Sequence, residues 1–339
     1  MNMKLLLDGK QIDGLVRASV TSNNYFAGDY FSFTVVANAS SAESLDQLTD
    51  LASGPIELRT DLSDDSDVTT LIYGTVDRAV VDPVVGVFSG EGRDLSAVLV
   101  DSYVQQNFVN QTASEVVAAI AGQHGILAEV IPTFGNVGRY FADGYTRLSL
   151  GDFSRYRSNW DLIVELAREQ NFDVYMSGST LYFGPSLAVI SSPVQVSLHD
   201  VITIQFHRNL RVNAPLGVAV QTWDSQRARA SRGMAYSAST AAAGSETSSD
   251  ASYLFTQPNL TPEQADARAT MYMREICRLG NQIRIQMPWN LSINPRCIIS
   301  VTGSGTSSDG LYTVDSVERS YSTTAGSTQF VMGTTWSPL

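Results

Sequence analysis

Gln111–Ile126 reads QTASEVVAAIAGQHGI and Ser158–Pro185 reads SNWDLIVELAREQNFDVYMSGSTLYFGP. The first segment predicts a helix with Thr112 as N-cap, Glu115 three residues later and Gly125 just past its end. Val116, Val117, Ile120 and Ala121 form one apolar face. The second segment predicts a helix opening at Ser158, with Asp161 in its first turn and Trp160, Ile163, Val164 and Ala167 on the buried side. Asn171 is placed to end it in a left-handed conformation. An apolar hairpin follows, FDVYM and TLYFG, with Ser177-Gly178 at the turn. These are the parts of a packing module, not of a catalytic centre.

Outward from this module the chain is strand-rich. Phe31, Phe33 and Val35 alternate with Ser32 and Thr34, the period of a half-buried strand. A short helix is expected from Ser40 to Leu51, capped by Ser40 and Glu43, presenting Leu45 and Leu48 and stopped by Gly54-Pro55. Beyond about residue 196 strands resume: Ile202, Ile204 and Phe206 alternate, as do Val218 and Val220. Ser225–Tyr253, rich in Ser, Ala and Gly, reads as a long loop or hairpin. A last helix has Thr261 at N-cap, Pro262 at N1 and Gln264 at N3, and ends at Gly280. Ile283, Ile285 and Met287 then begin the final strands.

An internal echo points to duplication. Pro55–Leu71 and Pro295–Leu311 are equally spaced; each runs from a short strand through a Ser/Asp/Gly loop to a strand of Leu-Tyr-Thr-Val-Asp type. A helix precedes each Pro, and a further apolar strand, VGVFSGEGR or TQFVMGTT, closes each copy. The expected fold is therefore α+β and mainly β: a first tube-like β-barrel domain over 1–100, an α/β module over 101–195, and a second, similar barrel over 196–339 with a long loop at 225–253.

The chain has 339 residues, 43% of them hydrophobic, enough for two or three domains with cores of their own. Its net charge is -12, from 34 acidic and 22 basic residues, which argues against general nucleic-acid binding. No apolar run approaches the ~20 residues that span a bilayer, and the start, MNMKLLLDGKQIDG, is too short for a signal core. The chain is accordingly expected in the cytoplasm until assembly, without stable membrane binding. Cys277 and Cys297 form neither a disulfide framework nor a zinc motif and read as reduced, partly buried thiols.

Little in the sequence suggests chemistry. His124 sits at a helix end; His199 and His207 are near each other but lack a third ligand at metal spacing. Phosphate-binding, nucleophile-elbow and zincin motifs are absent. The acidic run Asp61, Asp64, Asp65, Asp67 lacks the order of a calcium loop and reads as a hairpin tip. Gly303–Gly310 reads as a turn. Asp161, Glu165 and Glu169 lie along one helix face that should meet solvent or another subunit. Trp160 and Trp223 are expected in cores. Arg227, Arg229 and Arg232, with Arg208 and Arg211 nearby, form the one basic concentration: either a solvated loop base or a contact for an acidic neighbouring subunit. No catalytic, metal or cofactor residues are assigned, and no enzyme activity is expected.

The segments TASEVVAAIAGQHG (112–125), SNWDLIVELAREQNFD (158–173) and GSTLYFGP (178–185), in this order, resemble the late-control D family. These are the central hub proteins of contractile phage baseplates, related to the hub part of type VI secretion spike proteins. The resemblance continues more weakly through ITIQFHRNL (202–210), VAVQTWD (218–224) and DGLYTVDSVERSYS (309–322). It implies a structural baseplate or tail hub, resident in the virion: a homotrimer of two-barrel chains whose pseudo-sixfold ring joins a sixfold tail tube to a threefold spike. The tail tube protein, the tape-measure protein, other baseplate proteins and a spike protein are the implied partners, with DNA as transiting cargo only. The chain stops at Thr335-Trp336-Ser337-Pro338-Leu339 without a needle, so the spike is expected as a separate protein. A tail-associated cell-wall hydrolase and a peripheral receptor-binding tail protein remain as alternatives.

Overall fold

The computed structural model describes residues 2–37, 44–61, 68–103, 108, 110–137, 158–185, 192–212, 216–224, 229–236, 253–257 and 260–336. The first part of the chain forms strands β1 (Asn2–Leu7), β2 (Lys10–Ile12), β3 (Leu15–Asn23) and β4 (Tyr30–Val36) and helix α1 (Leu45–Leu51). Strands β5 (Pro55–Asp61), β6 (Val68–Asp82) and β7 (Val87–Asp94) follow. The alternation read in β4 holds: Phe31, Phe33 and Val35 are buried, and Phe33 packs between Phe31 and Phe88 with ring centroids 6.3 and 5.8 Å away. Helix α1 is capped at Ser44, whose side chain accepts from Gln47 N while Gln47 reaches back to Ser44 N. The cap expected at Ser40 and Glu43 lies outside the described residues, as do residues 62–67 of the acidic run.

The middle part contains α2 (Ser96–Asp101), β8 (Gln111–Thr112), α3 (Ala113–Gln123), β9 (Leu127–Val130), β10 (Asn136–Val137), α4 (Asn159–Gln170), β11 (Phe172–Ser177) and β12 (Thr180–Pro185). The predicted capping box forms at Thr112–Glu115, α4 opens at Ser158 as expected with Asp161 closing a second box there, and Asn171 ends α4 at φ 57°. The hairpin turn lies one residue later than expected. Ser177 still pairs with Thr180, so Gly178 (φ 59°) and Ser179 make the turn. The apolar faces of α3 and α4 meet the hairpin in a core of their own, with Val116, Ile120, Ile163, Ala167 and Phe183 all fully buried.

The last part brings β13 (Val194–Ser197), β14 (Thr203–Arg208), β15 (Gly217–Asp224), β16 (Arg229–Tyr236), β17 (Tyr253–Thr256) and α5 (Pro262–Arg278). It ends with β18 (Asn281–Pro288), β19 (Ile298–Thr302), β20 (Gly310–Ser322) and β21 (Gly326–Thr335). Part of the stretch read as a loop or hairpin is strand β16, which pairs antiparallel with β15 across Asp224↔Arg229, the hairpin of the two readings. The small sheet β16-β15-β17 packs on α5 around Val220, Leu260, Ala265 and Ala269. Trp223 is not core: it is 53% exposed, because the two-residue period of β15 turns Val220 and Thr222 inward and puts Trp223 on the outer face with Gln221.

Thirteen strands join in one sheet, in the order β14-β18-β21-β20-β3-β4-β7-β6-β5-β1-β2, with β19 on β20 and β13 on β19. Two five-strand arrays inside it have the same order: β3-β4-β7-β6-β5 and β14-β18-β21-β20-β19. Register makes the repeat residue-specific. In the first array Gly92 lies between Phe31 and Val76, and the ladder slips at Asp77. In the second, Gly333 lies between Ile283 and Val314, and the ladder slips at Asp315. The Asp of each Thr-Val-Asp word is thus the bulged residue, opposite a glycine that lets two backbones close up. The echo in the sequence therefore aligns on Asp77 and Asp315 rather than on the spacing from each Pro. The helices do not match: α1 stands between β4 and β5, whereas α5 precedes β18.

The chain is mostly β and α+β as expected, but among the described residues neither array closes into a barrel. The physical reason is at β3. One edge of β3 pairs with β4 and the other with β20 of the second array, from Arg17↔Ser322 to Asn23↔Ser316. The edge that closure within one array would use is occupied by the other. The two arrays nevertheless keep separate cores, one around Leu5, Phe31, Ile56 and Phe88, the other around Ile283, Ile299, Val314 and Val331.

A Cβ at Gly92 would lie 2.0 Å from the Thr75 carbonyl oxygen and 2.7 Å from Phe31 Cζ, whereas one at Gly122 in α3 meets nothing within 4 Å. Gly92→Ala should therefore lower stability by about 1–3 kcal/mol, and Gly122→Ala should raise it by about 0.4–1 kcal/mol. Urea unfolding of the two variants measures both, and a neutral Gly92→Ala would contradict the close approach at the bulge.

Candidate functional site

The turn between β3 and β4, Asn24-Tyr25-Phe26-Ala27-Gly28-Asp29, is where all the larger units meet. Tyr25 and Phe26 are consecutive left-handed residues, at φ 55° and 67°. For bulky side chains such a conformation costs on the order of 1–3 kcal/mol each, and it persists only where surroundings impose it. They do so from three directions. From the α/β module, Trp160 Nε1 donates to the Phe26 carbonyl at 3.0 Å, and the Arg168 guanidinium lies 5.4 Å from the Phe26 ring centre. From the second array, Asn24 N donates to the Asp315 carbonyl at 2.8 Å, and Arg296 Nη2 donates to the Asn23 carbonyl at 2.9 Å. Arg278 of α5 stacks 3.5 Å over the Tyr25 ring. From the first array, Asp94 accepts from Asp29 N at 3.1 Å and from Ser96 N at 3.0 Å, and also holds the Ser96 hydroxyl.

The charges at this junction are unusual. Burial, followed by the neighbouring Asp94 carboxylate, pushes Asp29 up to about 7. Burial also raises Asp94 and raises Asp315 to about 6, and it lowers Arg296. Arg296 itself sits 3.8 Å over the ring of Tyr175 in β11, so it bridges the second array, the turn and the module. Asp315, the bulged residue, accepts from Thr334 Oγ1 at 3.0 Å. Its counterpart Asp77 holds Arg93 through two bonds, at 2.7 and 3.0 Å. The two bulges thus present equivalent carboxylates, one exposed and ion-paired, one half-buried beneath the turn.

A second bridge joins α4 to α5. Arg268 Nη2 lies 3.1 Å from Glu165 and 3.8 Å from Glu169, with all three side chains at least three-quarters covered. The acidic face expected to meet solvent or another subunit therefore packs inside the chain, while Asp161 is used as the capping residue of α4.

The basic residues singled out in the sequence are spread apart. Arg229 and Arg232 are exposed on β16, and the two-residue period of a strand places them on opposite faces of the hairpin. Arg227 lies outside the described residues. Arg208 and Arg211 are exposed at the end of β14 and beyond it. His124 caps α3 and its Nε2 is 3.0 Å from Asn159 Nδ2, while His199 and His207 are exposed. Cys277 and Cys297 are free and half-buried. Among the described residues there is no group of three His, Cys, Asp or Glu that could hold a metal, and no helix long and apolar enough to cross a membrane. The contacts of the junction fix the first array, the second array and the module relative to one another. Sequence reasoning missed it. The available signal was an aromatic pair set between turn-forming residues, Asn23, Asn24, Gly28 and Asp29.

No family model matches the chain, and comparison with curated proteins finds no match. Solved structures do. A tail protein from Neisseria meningitidis is 13% identical, with 98% of this chain and 95% of that one covered at a TM-score of 0.72. The 43 kDa tail protein of prophage MuSo2 from Shewanella oneidensis is 17% identical, with 98% of each chain covered at a TM-score of 0.71. A component of the Escherichia coli type VI secretion system, itself structurally similar to the T4 bacteriophage tail proteins gp27 and gp5, is 11% identical at a TM-score of 0.56, with 98% and 77% covered. The chain has the fold of phage tail proteins and of this type VI component, the same group that the sequence resembles.

Asp29 has a folded-state pKa above its unfolded value, so its contribution to stability is full below about pH 4 and is lost as the pH rises through about 7. Asp29→Asn removes this loss. The stability difference between Asp29→Asn and the natural chain, followed by urea unfolding from pH 4.5 to 8 (roughly the window between the two pKa values), should shift steadily in favour of the variant. A difference independent of pH would contradict the burial of this carboxyl.

Proposed function

We propose that the chain is the central hub of a phage-type tail. Three copies close into a ring of six similar β arrays; one face meets a sixfold tail tube and the other a threefold spike. The observation that carries this reading is the register-matched repeat, held in one continuous sheet by the β3–β20 seam. A chain that carries the same array twice offers a sixfold partner six equivalent sites from three subunits. The fold shared with tail proteins and with a type VI component likened to gp27 supports the same role.

In this reading residues 1–100 and 196–339 are the two tube-like domains, closed around the ring rather than within one chain, and 101–195 is the module clamped to them. The axial channel passes the tape-measure protein and then DNA; the net charge of -12 favours passage without adhesion. The tail tube protein, a separate spike protein and other baseplate proteins are the partners. Arg227, Arg229 and Arg232 are assembly contacts for acidic neighbouring surfaces. The protein works in the virion tail after synthesis in the host cytoplasm, and its role is structural, not enzymatic.

Light scattering over a concentration series, with negative-stain images of the same peak, tests the reading. The expected result is a mass of three chains and a six-lobed ring with a central hole. A monomer at every concentration, both alone and with the spike protein added, would overturn it.

A further inference from the structure

The repeat contains, within one chain, a template for how one chain would join the next. In the seam, β3 of the first array lies antiparallel on the C-terminal half of β20, with Val20↔Arg319 and Thr21↔Glu318 as partners. The equivalent of β3 in the second array is β14, since Val20 pairs with Phe31 as Phe206 pairs with Ile283. The equivalent of β20 in the first array is β6, fixed by the bulges at Asp315 and Asp77. The counterpart of the seam is therefore β14 on the C-terminal half of β6. Within the chain that pairing is not made.

Both edges are open among the described residues. β14 ends the sheet order and pairs only with β18. β6 pairs with β5 only up to Thr75, and from Arg78 to Asp82 its only strand partner is β7. This half of β6 is exposed throughout, with Val80 49% and Val81 38% accessible, whereas Val317 on the matching half of β20 is fully buried. An exposed strand edge carrying Ala79, Val80 and Val81 invites pairing with another strand.

We propose that β14 of one copy adds to this half of β6 in a second copy of the chain, antiparallel and in the register of the seam. Transferring the seam register gives Gln205↔Asp82, Phe206↔Val81, His207↔Val80 and Arg208↔Ala79. Asp77 and Glu91 are paired with Arg93 and Arg78, while Asp82 lies diagonal to His207 on the same face and complements it. The contact is heterologous, so it propagates from copy to copy and closes when the rotation allows. It rests on the hub reading for closure at three copies, but not for the pairing itself.

The test introduces His207→Cys and Val80→Cys together in the full chain. Oxidised protein is run on a non-reducing gel, beside each single variant and an off-register pair, His207→Cys with Val84→Cys. All these positions are exposed, and circular dichroism checks that the fold is kept. The expected result is one reducible band at the mass of three chains from the in-register pair alone. A ladder running past three chains supports the strand pairing and overturns the three-copy ring. A trimer by light scattering without the disulfide, or equal linking by the off-register pair, overturns the pairing and leaves the ring. A monomer without linking overturns both.

Discussion

The seam between β3 and β20 is the constraint on which the rest of the molecule depends. Each repeat has its own core, and the second array reaches the first core only through Trp289 and Tyr321 among the described residues. The seam fixes one repeat against the other with backbone hydrogen bonds from Arg17↔Ser322 to Asn23↔Ser316, which specify direction and register at once. A slip by one residue would turn Ala18 and Val20 out of the first core. Because one strand edge can accept only one neighbour, the seam also prevents the first array from closing on itself. Duplication and openness thus follow from the same contact.

The turn after β3 then ties the remaining units to that seam. Its two left-handed aromatic residues keep a costly conformation because Trp160, Arg168, Arg278 and Arg296 hold the turn from the module, α5 and the second array. The Arg268 bridge to Glu165 and Glu169 adds a separate tie between α4 and α5. Charged groups serve better here than apolar ones because they fix orientation as well as proximity. The module keeps its own core, against which Phe26 and Leu95 pack from the first array, and polar contacts at the turn orient it.

The module was the most legible part of the sequence because its signals are local. The capping box at Thr112, the helix start at Ser158, the Asn171 stop and the 3.6-residue apolar stripes all act within a few residues. Duplication was legible as an echo, but its true alignment on Asp77 and Asp315 depends on cross-strand register, which a single sequence does not display. The seam was invisible for the same reason: it joins residues 17–23 to 316–322. Trp223 misled because a large apolar residue suggests core, whereas alternation along β15 gives the inner face to Val220 and Thr222. The acidic face of α4 misled because Arg268 is far away in sequence. Of the basic residues Arg227, Arg229 and Arg232, composition gave a cluster where strand geometry separates Arg229 from Arg232.

The most direct measurement of the central claim is a reconstruction of the assembled particle at a resolution that separates strands. The quantity to read is the rotation relating the two arrays within one chain, compared with the rotation relating the second array of that chain to the first of the next. If the in-chain seam is the template for the ring, both rotations are about 60° around one axis, as six equivalent units in a closed ring require. Unequal rotations, or a shift along the axis between arrays, would contradict the account and make the duplication a feature of folding rather than of assembly.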